Sequence, residues 1–218
     1  MKGIVKFIML VTLSFSSWLG HSQEVDGVVS SNALRVEFGL PGALDLSTNK
    51  AFRDFMTGIA NTSLGYQYAF ENSLSIELGA KYVLFRVNEF RNNFDLSGNV
   101  HIAGGYLKLG SDKYYSNWGI NYGVKVGYAY NFADVNKCID AKGQAGMTEG
   151  WLIEPNFTIS YLVDERSSFT ILNLTHMFNK FAFSPNFVCM EDFPAISPDT
   201  YRVRTTFFTF GFGYTYYF

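Results

Sequence analysis

Charge is what this sequence has least of. Only 17% of its 218 residues are Asp, Glu, Lys or Arg, against about 25% in ordinary globular domains, so there is little charge to clothe a conventional soluble surface. No Lys/Arg run forms a basic stripe, and the formal net charge is −2; neither favours nucleic acid as a partner. Long apolar runs are missing too. Beyond the N-terminus none reaches the ~18 residues of a helical membrane span, and mean hydropathy is only +0.04. Five Pro and two Cys rule out a proline-rich linker and a disulfide-dense scaffold. Intrinsic disorder is excluded by a hydrophobic content of 48%. The length suits a single domain.

Rings and glycine are abundant: 22 Phe, 14 Tyr, 3 Trp and 20 Gly. At the N-terminus Lys2 and Lys6 form a positive region, and an apolar stretch follows from Ile4 to Leu13 and on through Phe15. Gly20-His21-Ser22 then places small residues at −3 and −1 of a signal-peptidase cut before Gln23. Residues 1–22 are therefore expected to be a signal peptide and residues 23–218 the exported domain. Cys138 and Cys189 both fall in the exported part, and an even count there suits one disulfide, with two free thiols as the alternative.

The dominant pattern is alternation with a period of two. From Trp118 to Tyr130 every even position is large and apolar, while every odd position is Gly, Ala, Asn or Lys. A strand sends successive side chains to opposite faces, so this segment has one greasy face and one small, polar face. Seven further segments alternate in the same way, around Leu34–Leu40, Leu64–Tyr68, Leu74–Leu84, Val100–Tyr106, Trp151–Tyr161, Leu172–Leu174 and Phe208–Phe218. Links alternate between short (Phe70–Ser73, about Gly110–Asn117, Asp164–Ser168) and long (about Pro41–Met56, Arg86–Leu96, Asn131–Gly150, Asn179–Asp199). An up-and-down meander then gathers the turns at one end and the long loops at the other, as in transmembrane barrels.

The composition of the two faces predicts which one meets lipid. The small face carries Gly65, Gly79, Gly105, Gly119, Gly123, Gly127, Gly211 and Gly213, and its charges balance. Arg35, Lys81 and Lys125 stand against Glu37, Glu77 and Glu154, with His101 placed among them. Such a set is tolerable in a narrow lumen if it is paired. The other face carries Trp118, Tyr128, Tyr130, Trp151, Tyr161, Tyr214 and Tyr216 toward strand ends, as an aromatic girdle requires. Arg202 and Arg204 share that face but lie far enough from the C-terminal end to reach the external headgroups. Lipid offers no partner to a sheet edge, so the eight strands must close. Eight strands leave an interior that side chains can nearly fill, so a lumen plugged by that polar set is predicted and a diffusion porin is not.

The last strand reads Thr209-Phe210-Gly211-Phe212-Gly213-Tyr214-Thr215-Tyr216, and the chain ends on Phe218. In this pattern the sequence resembles the small eight-stranded bacterial outer-membrane barrels represented by OmpX and the transmembrane domain of OmpA. The resemblance implies an all-β, eight-stranded antiparallel up-and-down transmembrane barrel in the bacterial outer membrane. It also implies that Thr209, Gly211, Tyr214, Tyr216 and Phe218 act as the signal read by the barrel-assembly machinery, although two residues follow the motif here. Some such barrels resemble lipid A deacylases, which pair a His with a Ser two residues away. Here the residue two beyond His176 is Phe178, so no nucleophile adjoins the base along the strand. No metal-ligand spacing and no phosphate loop is present. The reading is a non-enzymatic barrel without a cofactor, surrounded by outer-membrane lipid, whose external loops serve structural roles or bind a protein partner. The alternatives are a lipid A-modifying enzyme and an accessory subunit of a secretion or uptake complex.

Overall fold

The computed structural model describes residues 31–42, 56–70, 73–87, 97–135, 147–182 and 202–218. Eight strands follow one another: β1 (Asn32–Gly42), β2 (Met56–Ala69), β3 (Leu74–Val87), β4 (Gly98–Tyr115), β5 (Trp118–Val135), β6 (Met147–Asp164), β7 (Ser167–Ala182) and β8 (Arg202–Tyr217). Each pairs antiparallel with the next, and β8 returns to β1, with Ala33 opposite Tyr217 and Gly42 opposite Phe208. The sheet is a closed barrel with no free edge along this seam. Residues 1–22, Cys138 and Cys189 lie outside the described residues.

Two of the short links are tighter than the sequence suggests. Strand β4 runs on to Tyr115, so Ser116 and Asn117 alone turn the chain, and Ser116 takes a left-handed φ of 55°. Glu165 and Arg166 do the same between β6 and β7, where the Arg166 N–H donates to the Asp164 carboxylate at 2.7 Å. Between β2 and β3 the Phe70 N–H donates to the Leu74 carbonyl at 2.7 Å. All three turns lie at one end of the barrel. Strands β4, β5 and β6 are 18 residues each, nearly twice the ~9–11 needed to cross the hydrocarbon. The wall therefore extends past the membrane.

Burial inverts the order of a soluble protein. Leu78 is 67% exposed, Phe210 and Phe212 62%, while Lys125 and Glu154 are 0% exposed inside. Water would not tolerate so continuous an apolar exterior, so this is a transmembrane barrel. Rings mark both borders of the band. Trp118 packs edge-on against Tyr161 (5.2 Å) near the turns, and Tyr128 against Trp151 (5.4 Å) toward the other end. Ten residues separate Trp118 from Tyr128, about 34 Å along an extended strand. At the usual tilt of ~40° this projects to about 26 Å, the height of an outer-membrane apolar band.

The facing of β4 corrects the sequence reading. Tyr106 and Ile102 point inward, 2% and 3% exposed, while His101 is on the outer face with its ring stacked on Phe132 at 4.5 Å. Tyr106 fits inside because Gly79 stands opposite it: a Cβ at Gly79 would lie 2.6 Å from the Tyr106 ring and hydroxyl. Leu107 and Leu109 take the lipid side instead.

The β6–β7 ladder is interrupted in the band. Pairing runs from Trp151–Lys180 to Ile153–Phe178 and resumes at Asn156–Thr175, leaving out Glu154 and Pro155. Proline has no N–H for the ladder. The variant Pro155→Val is expected to close the gap and raise stability by about 0.5–1.5 kcal/mol. The urea midpoint of unfolding from vesicles measures this; an unchanged or lower midpoint contradicts it.

Candidate functional site in the barrel interior

The charged side chains inside the barrel are brought together by register. Gln67 stands opposite Glu77, Glu77 opposite Lys108, Lys108 opposite Lys125 and Lys125 opposite Glu154, one residue from each of five consecutive strands. Strand β1 adds Arg35 and Glu37, and β3 adds Lys81 two residues beyond Gly79. All are buried.

The contacts resolve into two electrically neutral chains. In the first, Asp112 meets Arg35 at 3.4 Å, Arg35 meets Glu77 at 3.6 Å, and Glu77 meets Lys108 at 3.7 Å. Asn121 links its two ends: Lys108 donates to its Oδ1 and its Nδ2 donates to Asp112, both at 2.6 Å. Gln67 donates to the other Asp112 oxygen at 2.6 Å. In the second chain Lys125 meets Glu37 at 2.5 Å and Glu154 at 3.7 Å, and Lys81 meets Glu154 at 2.6 Å. Ser63 donates to Glu37 at 2.8 Å. Tyr106 links the two chains. Its hydroxyl donates to Glu77 at 2.6 Å while its ring lies 4.8 Å from the Lys125 ammonium. Opposite signs alternate within each chain, so the repulsion between the facing Lys108 and Lys125 is offset by carboxylates on both sides.

Apolar clusters bracket this array. Toward the long-loop end Val83, Phe85, Ile102, Ala129, Leu152, Met177 and Phe207 pack inside the barrel. Toward the turns Ala33, Leu162 and Tyr217 form a smaller cluster with Tyr114 against it, and the Tyr114 and Tyr217 hydroxyls are 2.5 Å apart. Charges between two such layers are screened little by salt.

Of the seven residues the sequence assigns to a lumen network, six lie in this array: Arg35, Glu37, Glu77, Lys81, Lys125 and Glu154. His101 does not; its Nδ1 lies 2.7 Å from the Tyr82 hydroxyl on the outer face. Lys108, Asp112 and Tyr106 are members that the sequence reading missed. The alternation Leu107-Lys108-Leu109 carried the signal, obscured by ending β4 at Gly110 and by taking Tyr106 as lipid-facing. On β8, Thr209 is buried and accepts from Asn61 Nδ2 at 2.7 Å, while Tyr214, Tyr216 and Phe218 are exposed outside. His176 faces outward, its ring 3.9 Å from that of Phe208 and its Nε2 2.7 Å from the Thr206 hydroxyl. No group of three or more potential metal ligands occurs among the described residues.

Removing one charge should expose the energetics of the array. Lys125→Met leaves Glu37 and Glu154 short of a cation and is expected to cost about 3–5 kcal/mol, with much of the loss recovered in Lys125→Met/Glu37→Gln. Unfolding of the single and double variants from vesicles tests this; additive losses would show that the contacts do not couple.

No family model matches the sequence, and no curated protein matches it. Solved structures do. The outer membrane protein OprG from Pseudomonas aeruginosa is 12% identical with a TM-score of 0.51, over 90% of this chain and 99% of that one. Ail, the attachment invasion locus protein of Yersinia pestis, solved in complex with the heparin analogue sucrose octasulfate, is 9% identical with a TM-score of 0.41, over 85% and 99%. The likeness to OprG is one of fold: a closed, eight-stranded antiparallel barrel.

Proposed function

We propose that this chain is a non-enzymatic integral barrel of the bacterial outer membrane, with a stoppered interior, whose external ends present loops for structural or binding roles. The observation that carries this reading is the pair of neutral charge chains roofed by an apolar cluster. An ion crossing the barrel must break the ion pairs and also pass the packed apolar cluster, where the inward amides Asn61, Asn131 and Asn179 are the polar groups at that height. Residues 1–22 direct export, and the β8 residues Thr209, Gly211, Tyr214, Tyr216 and Phe218 serve as the signal for the barrel-assembly machinery. Cys138 and Cys189 form a disulfide between two external loops.

One observation favours a second reading, a lipid-modifying enzyme. The Thr206 hydroxyl, from a neighbouring strand, stands at hydrogen-bond distance from His176, the hydroxyl–imidazole pair that a hydrolase requires. A threonine is a hindered nucleophile, and the structure gives no carboxylate bonded to His176 among the described residues, so the non-enzymatic reading is preferred.

Reconstituted in planar bilayers, the wild-type barrel is expected to give no stepwise conductance. Sustained single-channel steps from the closed barrel would contradict a stoppered lumen. Lipid A extracted from cells carrying the wild type or His176→Ala is expected to be identical by mass spectrometry; a species lost only in the variant would favour the enzyme.

A further inference from the structure

The border of the apolar band toward the long loops carries a patch that anchoring in lipid does not by itself require. Strands β5 and β6 bring four outward side chains into two facing pairs, Tyr128 opposite Trp151 and Tyr130 opposite Glu149. The rings are open to the surroundings, with Trp151 66% and Tyr130 52% exposed. Both stand nearly upright against the Tyr128 ring, Trp151 at 82° and 5.4 Å between centroids, Tyr130 at 87° and 6.4 Å. Glu149 reaches diagonally across the ladder and accepts from the Tyr128 hydroxyl.

The carboxylate sets this patch apart. Inside the wall Glu37, Glu77, Asp112 and Glu154 each lie against a cation. Glu149 is on the outer face and exposed, and among the described residues its partner is the Tyr128 hydroxyl. The girdle near the turns shows the contrast. There Trp118 packs edge-on against Tyr161 in the same way, but the Tyr161 hydroxyl meets the neutral Asn117 amide at 3.4 Å.

Aromatic faces attract cations through the ring quadrupole, and quaternary ammonium groups are the ligands that clustered rings recognise best. A phenol that donates to a carboxylate has a more electron-rich ring, which strengthens that attraction. A bare divalent ion needs six or more oxygen ligands, and the patch supplies one carboxylate. An anion is repelled by it. One pair closer to the membrane centre Val126 faces Ile153, both exposed on the same side, so a hydrocarbon tail has a place directly below the rings. The occupant that matches is an amphiphile with a cationic head.

From this geometry we infer that the β5–β6 border binds a lipid of the surrounding leaflet whose headgroup carries an ammonium. Tyr128, Tyr130 and Trp151 meet the cation and Glu149 balances its charge. The inference rests on the outer-membrane reading above and names a lipid that reading leaves open.

The experiment is native mass spectrometry of the purified full-length barrel after reconstitution with either of two lipids. One is phosphatidylcholine, and the other is its isostere with a tert-butyl group in place of the trimethylammonium. The wild type is expected to retain phosphatidylcholine about tenfold over the isostere, a ring contact and a charge near a membrane surface each being worth several-fold. Glu149→Gln and Trp151→Leu should each lower that retention several-fold, and Trp118→Leu at the other girdle should leave it unchanged. Equal retention of the two lipids by the wild type overturns the inference. So does unchanged retention in Glu149→Gln or Trp151→Leu, or an equal loss in Trp118→Leu. Should Trp151→Leu fail to fold, Glu149→Gln carries the test alone, and unchanged retention again overturns the inference. The shift in gel mobility on boiling reports insertion separately. A wild-type barrel that fails to enter any vesicle overturns the outer-membrane reading itself, whereas an inserted barrel without lipid preference overturns this inference alone.

Discussion

Hydrocarbon supplies no hydrogen bonds and solvates no charge, and nearly every feature of this barrel follows from that. The sheet closes because an open edge would leave N–H and C=O groups without partners. The exterior is Leu, Ile, Val and rings because nothing else is stable against acyl chains. Charge inside the band has to turn inward, and once there it has to be neutralised locally, since an eight-stranded interior holds too little water to do it. Two alternating chains of four charges meet that condition, Asp112–Arg35–Glu77–Lys108 and Glu37–Lys125–Glu154–Lys81.

The interior charges pair with one another, although Arg35 Nε, Glu37 Oε1 and Gln67 Oε1 have no hydrogen-bond partner among the described residues. Each carboxylate in the array is claimed by a cation or a side-chain donor, and an apolar layer separates it from the long-loop end. Such a core specifies and holds the barrel, although replacing ion pairs by apolar groups can be neutral in stability. The wall itself extends past the membrane. The 18-residue strands β4, β5 and β6 supply that extension.

Much of the architecture is legible in the sequence, because a barrel wall has one apolar face and one small polar face and the period of two displays it directly. Strands β5 and β8 alternate so regularly that their facing follows from composition alone. Strand β4 fails for a physical reason. Equating apolar with lipid-facing holds only where the interior is polar, and toward the long loops the interior of this barrel also holds an apolar cluster. Ile102 and Tyr106 belong to that inner layer, and the space for the Tyr106 ring comes from Gly79 on another strand. The pairings were equally hidden: Arg35 reaches a partner 77 residues away and Lys125 one 88 residues away. The alternation shows that charges face inward; only register and closure show which ones meet. The His176–Thr206 contact was missed likewise, because reading along β7 cannot reveal a hydroxyl contributed by β8.

The account depends most on the outer face meeting acyl chains, and arginine placed on that face measures it directly. Val124 lies midway between the two girdles and Tyr130 at the border of the band, both on the exposed side of β5. Folding into vesicles is predicted to lose about 2–4 kcal/mol in Val124→Arg and about 0–1 kcal/mol in Tyr130→Arg. Equal, small losses at the two positions would mean that water bathes the whole face, and would contradict the account.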